Sequence, residues 1–290
     1  MSAPDLLTHG EPGTREPVDT VDSPPIVLTV IIPAYNEAAT IVPLLEKVAA
    51  AAYEKQIVVV DDGSRDGTPA LVEDWRTGLQ DPVRVELLAH EINRGKGAAI
   101  RTGLAAARGE VTLIQDADLE YDPDDYPRLV GPILTGEAEV VYGSRYLSKA
   151  NYLPWTANRL CVHLLNGLVR VLYRQRITDE ATCYKVFRTD LLRRIDLRCE
   201  RFEFCPEVTA KVSRLGVRIR EVPIRYHPRF ADEGKKIGWR DGVEAVWTLL
   251  RWRFRRWRPQ TIERTPDSSP ADRGSPGQKS PATDGAGTSM

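Results

Sequence analysis

The sequence has no run of about 18 consecutive apolar residues, so no segment of it is expected to span a membrane. Its four cysteines form no C-x-x-C pair and have no histidine at zinc-site spacing, which predicts reduced thiols in a cytosolic protein. No basic stretch followed by an apolar run stands near the first residue, so we expect no secretory signal. No G-x-G-x-x-G follows a predicted strand, which argues against a dinucleotide-dependent oxidoreductase.

An excess of one charge sign is also missing, since 40 Lys and Arg offset 41 Asp and Glu. Residues 1–25 carry five acidic residues and one basic residue, and residues 259–290 carry four and three, which leaves +4 for residues 26–258. Each end segment has five prolines and no aromatic residue, too little apolar surface to offset the entropy of ordering. We therefore predict disordered tails around one domain over residues 26–258. Its mild charge excludes a protein that coats nucleic acid.

Apolar runs of strand length alternate with helical patterns from residue 26 to about residue 143. Such alternation predicts an α/β fold with a mostly parallel sheet flanked by helices. The predicted strands are residues 26–32, 57–60, 83–89, 111–114 and 138–142, and the predicted helices are residues 37–52, 67–79, 95–107 and 123–134. The later predicted elements are strands 182–187 and 217–222 and helices 158–174, 206–215 and 238–257. Binding sites in such sheets lie beyond the carboxyl ends of the strands.

Acidic residues follow three of these strand ends. Residues 33–37 combine a rigid turn with an aromatic ring and a carboxylate, which suits contacts with a nucleobase. Residues 61–64 place carboxylates where a ribose or a base edge is held. Alternation along an extended strand end places Asp116 and Asp118 on one side, with Glu120 near them. Clustered carboxylates suit Mg²⁺ or Mn²⁺ bridging a diphosphate, and three such turns in succession favour a site over solvated loops.

These three motifs, in this order, resemble glycosyltransferase family 2. They read V-I-I-P-A-Y-N-E at residues 30–37, V-V-V-D-D-G-S at 58–64 and Q-D-A-D at 115–118. The resemblance covers roughly residues 27–256 and implies the GT-A fold and a nucleotide-diphospho-sugar donor. The donor-binding residues that it implies are Pro33, Tyr35, Asn36, Glu37, Asp61, Asp62, Asp116 and Ala117, and the implied ligands of Mg²⁺ or Mn²⁺ are Asp118 and Glu120.

Later motifs resemble the branch of dolichyl-phosphate mannosyltransferases and polyprenyl-phosphate glycosyltransferases. They are G-S-R-Y at residues 143–146, D-E-A-T-C-Y-K at 179–185 and E-V-P-I at 221–224. The branch implies a metal-dependent, inverting transfer of a hexose from GDP-mannose or UDP-glucose to a polyprenyl or dolichyl phosphate. The implied catalytic residues are Asp118, Arg145, Arg229 and Lys235.

By this resemblance Arg145 meets the acceptor phosphate, while Arg229 and Lys235 meet the donor diphosphate or the transferring phosphate. The chain departs from the pattern at Glu120, where the mannosyltransferases often have Gln. It departs again at residues 227–228, His-Pro, which replace the usual local residues. The first departure bears on metal binding and sugar choice, and the second on nucleotide identity.

Two other functions remain open. A family 2 transferase with a soluble or other hydroxyl acceptor needs a general base near the sugar C1. Glu203 and Glu207 flank an aromatic turn. We interpret them as helix caps, and the less favoured interpretation is that one of them is this general base. A non-catalytic nucleotide-sugar-binding protein is the third hypothesis, disfavoured by the intact acidic motifs.

Residues 93–97, Asn-Arg-Gly-Lys-Gly, are interpreted either as a phosphate contact at a helix start or as a structural turn.

The predicted C-terminal helix mixes tryptophan with arginine, a composition typical of helices that lie in a membrane interface. We predict that it holds the chain peripherally at the cytoplasmic face of a membrane, with Trp247, Trp252 and Trp257 at headgroup depth. Arg251, Arg255 and Arg256 would then meet anionic lipid. In the alternative interpretation, Trp247 and Leu250 pack on the sheet and the arginines are solvated.

Overall fold

The computed structural model describes residues 26–79, 84–151, 156–228 and 239–261. Residues 1–25 and 262–290 lie outside this part of the chain, so the predicted disorder of the tails stays a prediction. Arg229 and Lys235 also lie outside it.

Within the described residues, seven strands form one sheet in the order β3-β2-β1-β4-β6-β5-β7. The strands are β1 (Leu28–Ala34), β2 (Lys55–Asp61), β3 (Val85–Ala89), β4 (Val111–Ile114), β5 (Val140–Ser144), β6 (Lys185–Arg188) and β7 (Ile219–Pro223). β6 runs antiparallel to both of its neighbours, and the other pairs are parallel. The predicted mostly parallel sheet is therefore confirmed.

Eight α-helices lie among the described residues, and a short 3-10 helix, Pro123–Asp125, precedes the fourth of them. The α-helices are α1 (Ile41–Ala50), α2 (Thr68–Thr77), α3 (Lys96–Ala106), α4 (Tyr126–Leu134), α5 (Ala157–Tyr173), α6 (Thr189–Arg194), α7 (Phe204–Arg214) and α8 (Trp239–Phe254). α3 packs on β1 and β2, α4 packs on β4, β5 and β6, and α5, α7 and α8 pack on one another. None of the helices in these residues is long and apolar enough to cross a membrane.

The central strands read as almost continuous apolar runs because helices cover both faces of the sheet. Every residue of β2 is buried, and so is every residue of β1 except Pro33. The register pairs Ala34 with Asp61 and Ile31 with Ile114, so β1, β2 and β4 end at the same edge of the sheet. The three acidic turns therefore emerge side by side, as the alternating pattern predicts.

Several boundaries differ from the prediction for local reasons. α1 begins at Ile41 rather than at residue 37, because the amides of Thr40 and Ile41 donate to the carbonyl of Glu37 in a tight turn. β6 begins at Lys185 rather than at residue 182. α6 was not predicted, because a helix of six residues is too short to show a helical period.

Candidate active site

The turns after β1 and β2 are joined by reciprocal hydrogen bonds centred on Asn36. Its side-chain Oδ1 accepts from the amide of Arg65 at 2.8 Å, and its own amide donates to Ser64 Oγ at 2.9 Å. Asn36 adopts a left-handed conformation with φ of 53°, which asparagine tolerates better than most residues. Asn36, which was predicted to bind the nucleotide-sugar donor, thus fixes the two turns relative to each other.

The same two turns are tied by Asp66 and Thr68, which sequence reasoning missed. Asp66 Oδ1 accepts from Thr68 Oγ1 at 2.6 Å, and Asp66 Oδ2 accepts from the amide of Ala38 at 3.0 Å. Loss of hydration opposes ionisation of the Asp66 carboxyl, but the hydrogen bonds from Thr68 and Ala38 outweigh this effect and lower its pKa. Thr68 Oγ1 in turn accepts from the amide of Glu37 at 2.9 Å. Asp66, the second residue after D-D-G-S, was the available signal for this link.

Three of the residues predicted to bind the donor lie at the end of β1, Pro33 within the strand and Tyr35 and Glu37 in the turn that follows it. Pro33, Tyr35 and Glu37 are each half-buried. The Glu37 carboxylate accepts from Thr40 Oγ1 at 3.0 Å, which orients it at the start of α1. An aromatic ring and a carboxylate therefore stand at the end of β1, beside the end of β2.

Asp61 carries a buried carboxylate oxygen that has no hydrogen-bond partner among the described residues. Its side chain is 3% exposed, Oδ2 accepts from the amide of Ser64 at 3.1 Å, and Oδ1 is unpaired. An unpaired buried carboxylate oxygen costs free energy unless a ligand supplies a donor. Asp61 is consequently suited to accept a hydrogen bond from a bound molecule.

Asp62 is used differently, because both of its oxygens are occupied by the protein. Oδ1 accepts from the amide of Arg94 at 2.9 Å and lies 2.6 Å from His90 Nδ1, and Oδ2 accepts from the amide of Gly95 at 2.7 Å. Gly95 has φ of 96°, and a Cβ there would lie 2.4 Å from the carbonyl oxygen of Glu200. Residues 93–97 therefore form a tightly fixed turn, which Asp62 holds beside the site.

Gln115 and Lys96 organise the third turn. The buried Gln115 accepts from the hydroxyls of Tyr126 and Tyr184 and donates to the carbonyl of Asp116 at 3.0 Å. Lys96 Nζ lies 2.5 Å from Asp116 Oδ1. Burial disfavours the charged form of Lys96, but the Asp116 carboxylate outweighs it and holds the pKa of Lys96 well above its ordinary value. The sequence placed Lys96 in the 93–97 segment, interpreted as a phosphate contact or a structural turn, and did not predict its ion pair with Asp116.

Asp116 and Asp118 lie in a turn and not in an extended strand, so the argument from strand alternation was wrong. β4 ends at Ile114, and Leu119 adopts a left-handed φ of 61°. Ala117 is nevertheless buried at 4% exposure, while the two aspartates are half-buried. The turn therefore gives the arrangement that alternation had predicted, because the two carboxylates are partly exposed and the alanine between them is buried.

Glu120 is held by two residues of the segment that follows β7. The Tyr226 hydroxyl donates to Glu120 Oε2 at 3.0 Å, and the amide of His227 donates to the Glu120 carbonyl at 2.9 Å. Asp118 Oδ1 accepts from the amide of Glu120 at 3.2 Å. The segment after β7 is therefore fastened to the third turn through Glu120.

Arg145 is fixed by a bidentate ion pair with Asp179, which has no exposed side-chain surface. Arg145 Nε and Nη2 lie 2.8 and 2.7 Å from the two carboxylate oxygens. The amides of Thr178 and Asp179 donate to the carboxylate of Glu221 at 2.8 to 3.0 Å. Asn166 of α5 clamps the same loop by donating to the Thr178 carbonyl at 2.6 Å. Glu221 and Asn166 thus hold the loop that orients Arg145.

Arg145 lies close to the third turn. Its guanidinium carbon is 5.1 Å from the centre of the Tyr226 ring, and Tyr226 is the residue that donates to Glu120. The guanidinium and the acidic turn consequently share one aromatic side chain. The structure brings together the predicted residues of the first three motifs with Arg145.

The two glutamates considered as a general base have structural partners. Glu207 is 2% exposed and lies 2.5 Å from the buried Lys211 Nζ. Glu203 accepts from the amides of Glu200 and Arg201 at 2.7 and 2.9 Å, at the start of α7. A structural role is therefore favoured over that of a base for both glutamates, although the predicted helix cap is wrong for Glu203, whose side chain makes no capping hydrogen bond to α7.

A divalent cation fits the donor set of the third turn. In residues 26–79, 84–151, 156–228 and 239–261, no group of three His, Cys, Asp or Glu side chains is arranged to hold a metal by itself. Mg²⁺, however, is commonly bound by one or two carboxylates together with substrate phosphates. Asp118 and Glu120 supply two carboxylates, whereas Asp116 is neutralised by Lys96.

Comparison with known proteins places these features in a family. The sequence model described as Glycosyl transferase family 2 matches residues 29–196. Undecaprenyl-phosphate mannosyltransferase of Micrococcus luteus is 34% identical over 78% of this chain and 93% of its own length. Dolichyl-phosphate beta-glucosyltransferase of Dictyostelium discoideum is 28% identical over 85% of this chain and 79% of its own length.

The fold has a solved counterpart. Glucosyl-3-phosphoglycerate synthase from Mycobacterium tuberculosis, solved in complex with Mn²⁺, UDP and glucosyl-3-phosphoglycerate, superposes with a TM-score of 0.59. The two are 21% identical, and the match covers 78% of this chain and 80% of that chain. This likeness confirms the predicted GT-A fold. With that fold, the matching family model and the mannosyltransferase relative, this chain is a nucleotide-sugar glycosyltransferase that belongs to glycosyl transferase family 2.

Proposed function

We propose that this chain transfers a hexose from a nucleotide-diphospho-sugar to a polyprenyl phosphate, with inversion at the anomeric carbon. The observation that carries the proposal is the fixed guanidinium of Arg145 beside the acidic turn that holds Glu120. A cation so placed suits an acceptor that is itself a phosphate. The names of the Micrococcus and Dictyostelium relatives, which specify undecaprenyl and dolichyl phosphate, support the same acceptor class. The two names differ in sugar, so GDP-mannose and UDP-glucose are both candidate donors.

The donor is proposed to bind across the ends of β1, β2 and β4. Tyr35 and Glu37 contact the base, and the unpaired Oδ1 of Asp61 accepts one of the nucleoside's donors. Asp118 and Glu120 would hold Mg²⁺ or Mn²⁺, which when bound offsets charge on the diphosphate. Arg229 and Lys235, outside the described residues, are proposed to add positive charge to the same diphosphate.

The reaction needs no strong base, because the acceptor is already an anion. A phosphate oxygen of the lipid forms a bond to C1 of the sugar as the bond between C1 and the diphosphate oxygen breaks. The nucleoside diphosphate leaves with that electron pair, and no proton is transferred. Arg145 would position the nucleophile, which is the main task the protein performs for such a displacement. The engagement of Glu203 and Glu207 by structural partners disfavours a hydroxyl acceptor, which requires a base.

The acceptor's apolar tail calls for a membrane surface, and α5 and α8 offer exposed apolar residues for it. Val243, Trp247 and Phe254 of α8 are 60%, 62% and 78% exposed, and Leu160, Leu164 and Val171 of α5 are 65%, 63% and 79% exposed. Both sets have the spacing i, i+4, i+11, which places each set on one helix face. We call these six residues the apolar face and propose that it lies in the cytoplasmic surface of a membrane.

Trp252 does not belong to the apolar face, contrary to its predicted position at headgroup depth. It is 4% exposed, and the ammonium of Lys211 lies 3.9 Å from the centre of its ring. A buried cation–π contact keeps this ring in the interior. Trp247 is exposed, so the alternative in which it packs on the sheet was also wrong.

Product analysis tests the proposed function directly. Wild type is incubated with GDP-mannose or UDP-glucose, with Mg²⁺, and with either polyprenyl phosphate or soluble sugars. We expect a sugar-phospholipid product from one donor and none from soluble acceptors. Asp118→Asn should abolish turnover at ordinary metal concentrations while the fold is retained, and Asp124→Asn, which removes an exposed carboxylate, should leave turnover intact. Transfer to soluble sugars alone would contradict the lipid acceptor, and binding of donor without any transfer would favour a non-catalytic role.

A further inference from the structure

An open pocket lies along α3, next to the turn of residues 93–97 that Asp62 holds. Its volume is about 360 Å³, and it is lined by Arg94, Ala98, Arg101, Thr102 and Ala105. Helical spacing places Ala98, Arg101, Thr102 and Ala105 on one face of α3, while Arg94 lies in the turn before the helix. The short alanine side chains leave room between the two arginines. We call this cavity the α3 pocket.

Both arginines of the α3 pocket are exposed. Neither Arg94 nor Arg101 forms a side-chain ion pair with any residue of the part of the chain described here. Other arginines nearby in the chain behave differently, since Arg76 pairs with Glu73 and Arg108 pairs with Glu86. Two uncompensated guanidinium groups around one cavity are a site for an anion, because their planar N–H groups match the oxygens of a phosphate.

The third polar group of the α3 pocket connects it to the sheet edge. Thr102 Oγ1 lies 2.9 Å from His90 Nε2, and His90 Nδ1 lies 2.6 Å from Asp62 Oδ1. The same carboxylate accepts from the amide of Arg94 at 2.9 Å. Asp62 therefore fixes the backbone at Arg94 and, through His90, the side chain of Thr102, so these two lining positions are held relative to each other.

We propose that the α3 pocket binds a phosphate monoester at a site separate from the donor and acceptor sites. Its volume lies within the range of small-ligand sites and exceeds the space that one bare phosphate fills. Soluble phosphorylated metabolites and the headgroup of an anionic lipid both present this chemistry.

Calorimetry with the full chain tests the pocket. The donor site is first saturated with a nucleoside diphosphate and Mg²⁺, and glycerol 3-phosphate is then titrated into wild type and variants. We expect wild type to bind at millimolar ligand or below, and Arg94→Gln and Arg101→Gln each to weaken binding about ten-fold. Arg108→Gln removes the same charge from a paired residue outside the pocket and should bind like wild type.

A second arm separates the two sources of the ligand. Vesicles containing phosphatidic acid are compared with vesicles of phosphatidylcholine alone, again for wild type and Arg101→Gln. Arg101-dependent binding to glycerol 3-phosphate assigns the pocket to a soluble ester, and Arg101-dependent binding restricted to the phosphatidic acid vesicles assigns it to a lipid. Absence of both, or equal binding by wild type and Arg101→Gln, overturns the proposal. These readouts do not depend on sugar transfer, so they remain informative if the proposed function fails.

Discussion

Asp61 and Asp62 are adjacent in the chain but have opposite environments. Asp62 binds two amides and a histidine, whereas Asp61 retains a buried oxygen without a partner among the described residues. A buried carboxylate oxygen gains most from a ligand when the protein leaves it unpaired. Loop positioning is therefore the role of Asp62, and ligand recognition is the proposed role of Asp61.

Asp61→Asn should weaken binding of the nucleoside diphosphate about ten- to a hundred-fold, because a hydrogen bond to a charged group contributes about 1.5–3 kcal/mol. Calorimetry measures the change. Asp74→Asn, on the exposed side of α2, is the matched control and should bind like wild type. Unchanged affinity in Asp61→Asn would place the nucleoside elsewhere.

Glu180 gives a pH dependence of known sign. Burial raises the pKa of this carboxyl, an effect only partly offset by Lys185. The folded state therefore retains a proton that the unfolded state has lost, and wild type loses stability as pH rises from about 4.5 through the raised pKa. Glu180→Gln removes this loss, so its free energy of unfolding relative to wild type should rise with pH across that window.

Urea denaturation at a series of pH values measures this difference. Glu139→Gln, at an exposed position, should follow wild type at every pH. A parallel pH profile for Glu180→Gln and wild type would show that Glu180 is ionised in the folded protein as it is in the unfolded chain.

At the scale of elements, β7 positions a loop that belongs to another part of the chain. Glu221 accepts from Thr178 and Asp179, and Asp179 fixes Arg145 at the end of β5. Glu221→Gln should lower kcat about ten- to a hundred-fold through misplacement of Arg145, with nucleoside diphosphate affinity unchanged. Glu137→Gln, at an exposed residue paired with Arg220, serves as control. Equal losses of kcat and of donor affinity would indicate general disruption instead.

The apolar face predicts membrane binding by α5 and α8. Trp247→Ser should reduce flotation with anionic vesicles, and Arg251→Glu with Arg256→Glu should reduce it further and in a salt-dependent manner, since each base near the surface contributes about 1 kcal/mol. Leu134→Ser changes an exposed leucine at the end of α4 and should float like wild type. Equal flotation of all variants, or none by wild type, would contradict this surface.

All the elements except the six-residue α6, together with the three acidic turns, were predictable, because strand runs, helical periods and strand-end residues are local in sequence. The contacts that organise the site were not. Arg145 and Asp179 are 34 residues apart, and Asp179 and Glu221 are 42 apart, so no periodicity joins them. The resemblance to the family marked Arg145 and the E-V-P motif, but only the fold shows that Glu221 supports the loop that orients Arg145.

At the scale of the whole molecule, substitutions of two helical glycines should change the free energy of unfolding in opposite directions. One of these glycines lies where α3 packs on the sheet. A Cβ at Gly103 would lie 2.5 Å from Ile31 Cγ2, so Gly103→Ala should destabilise the protein by about 1–3 kcal/mol through overpacking. A Cβ at Gly167, in the middle of α5, meets nothing within 4 Å, and Gly167→Ala should stabilise by about 0.5–1 kcal/mol. Urea midpoints measure both changes. Similar effects of the two substitutions would mean that α3 lies farther from β1.

The antiparallel strand β6 also determines how much of the chain must be synthesised before the sheet can be completed. β1 to β4 can pair once Ile114 has emerged, whereas β5 pairs with β6 and β7, which both follow it in the chain. Until Lys185 is synthesised, β4 presents one open edge and β5 has neither neighbour, an interval of a few seconds at translation rates of about 5–20 residues per second. Open strand edges recruit other chains. Translation pauses between residues 144 and 185 should therefore be the stage at which the nascent polypeptide depends most on chaperones.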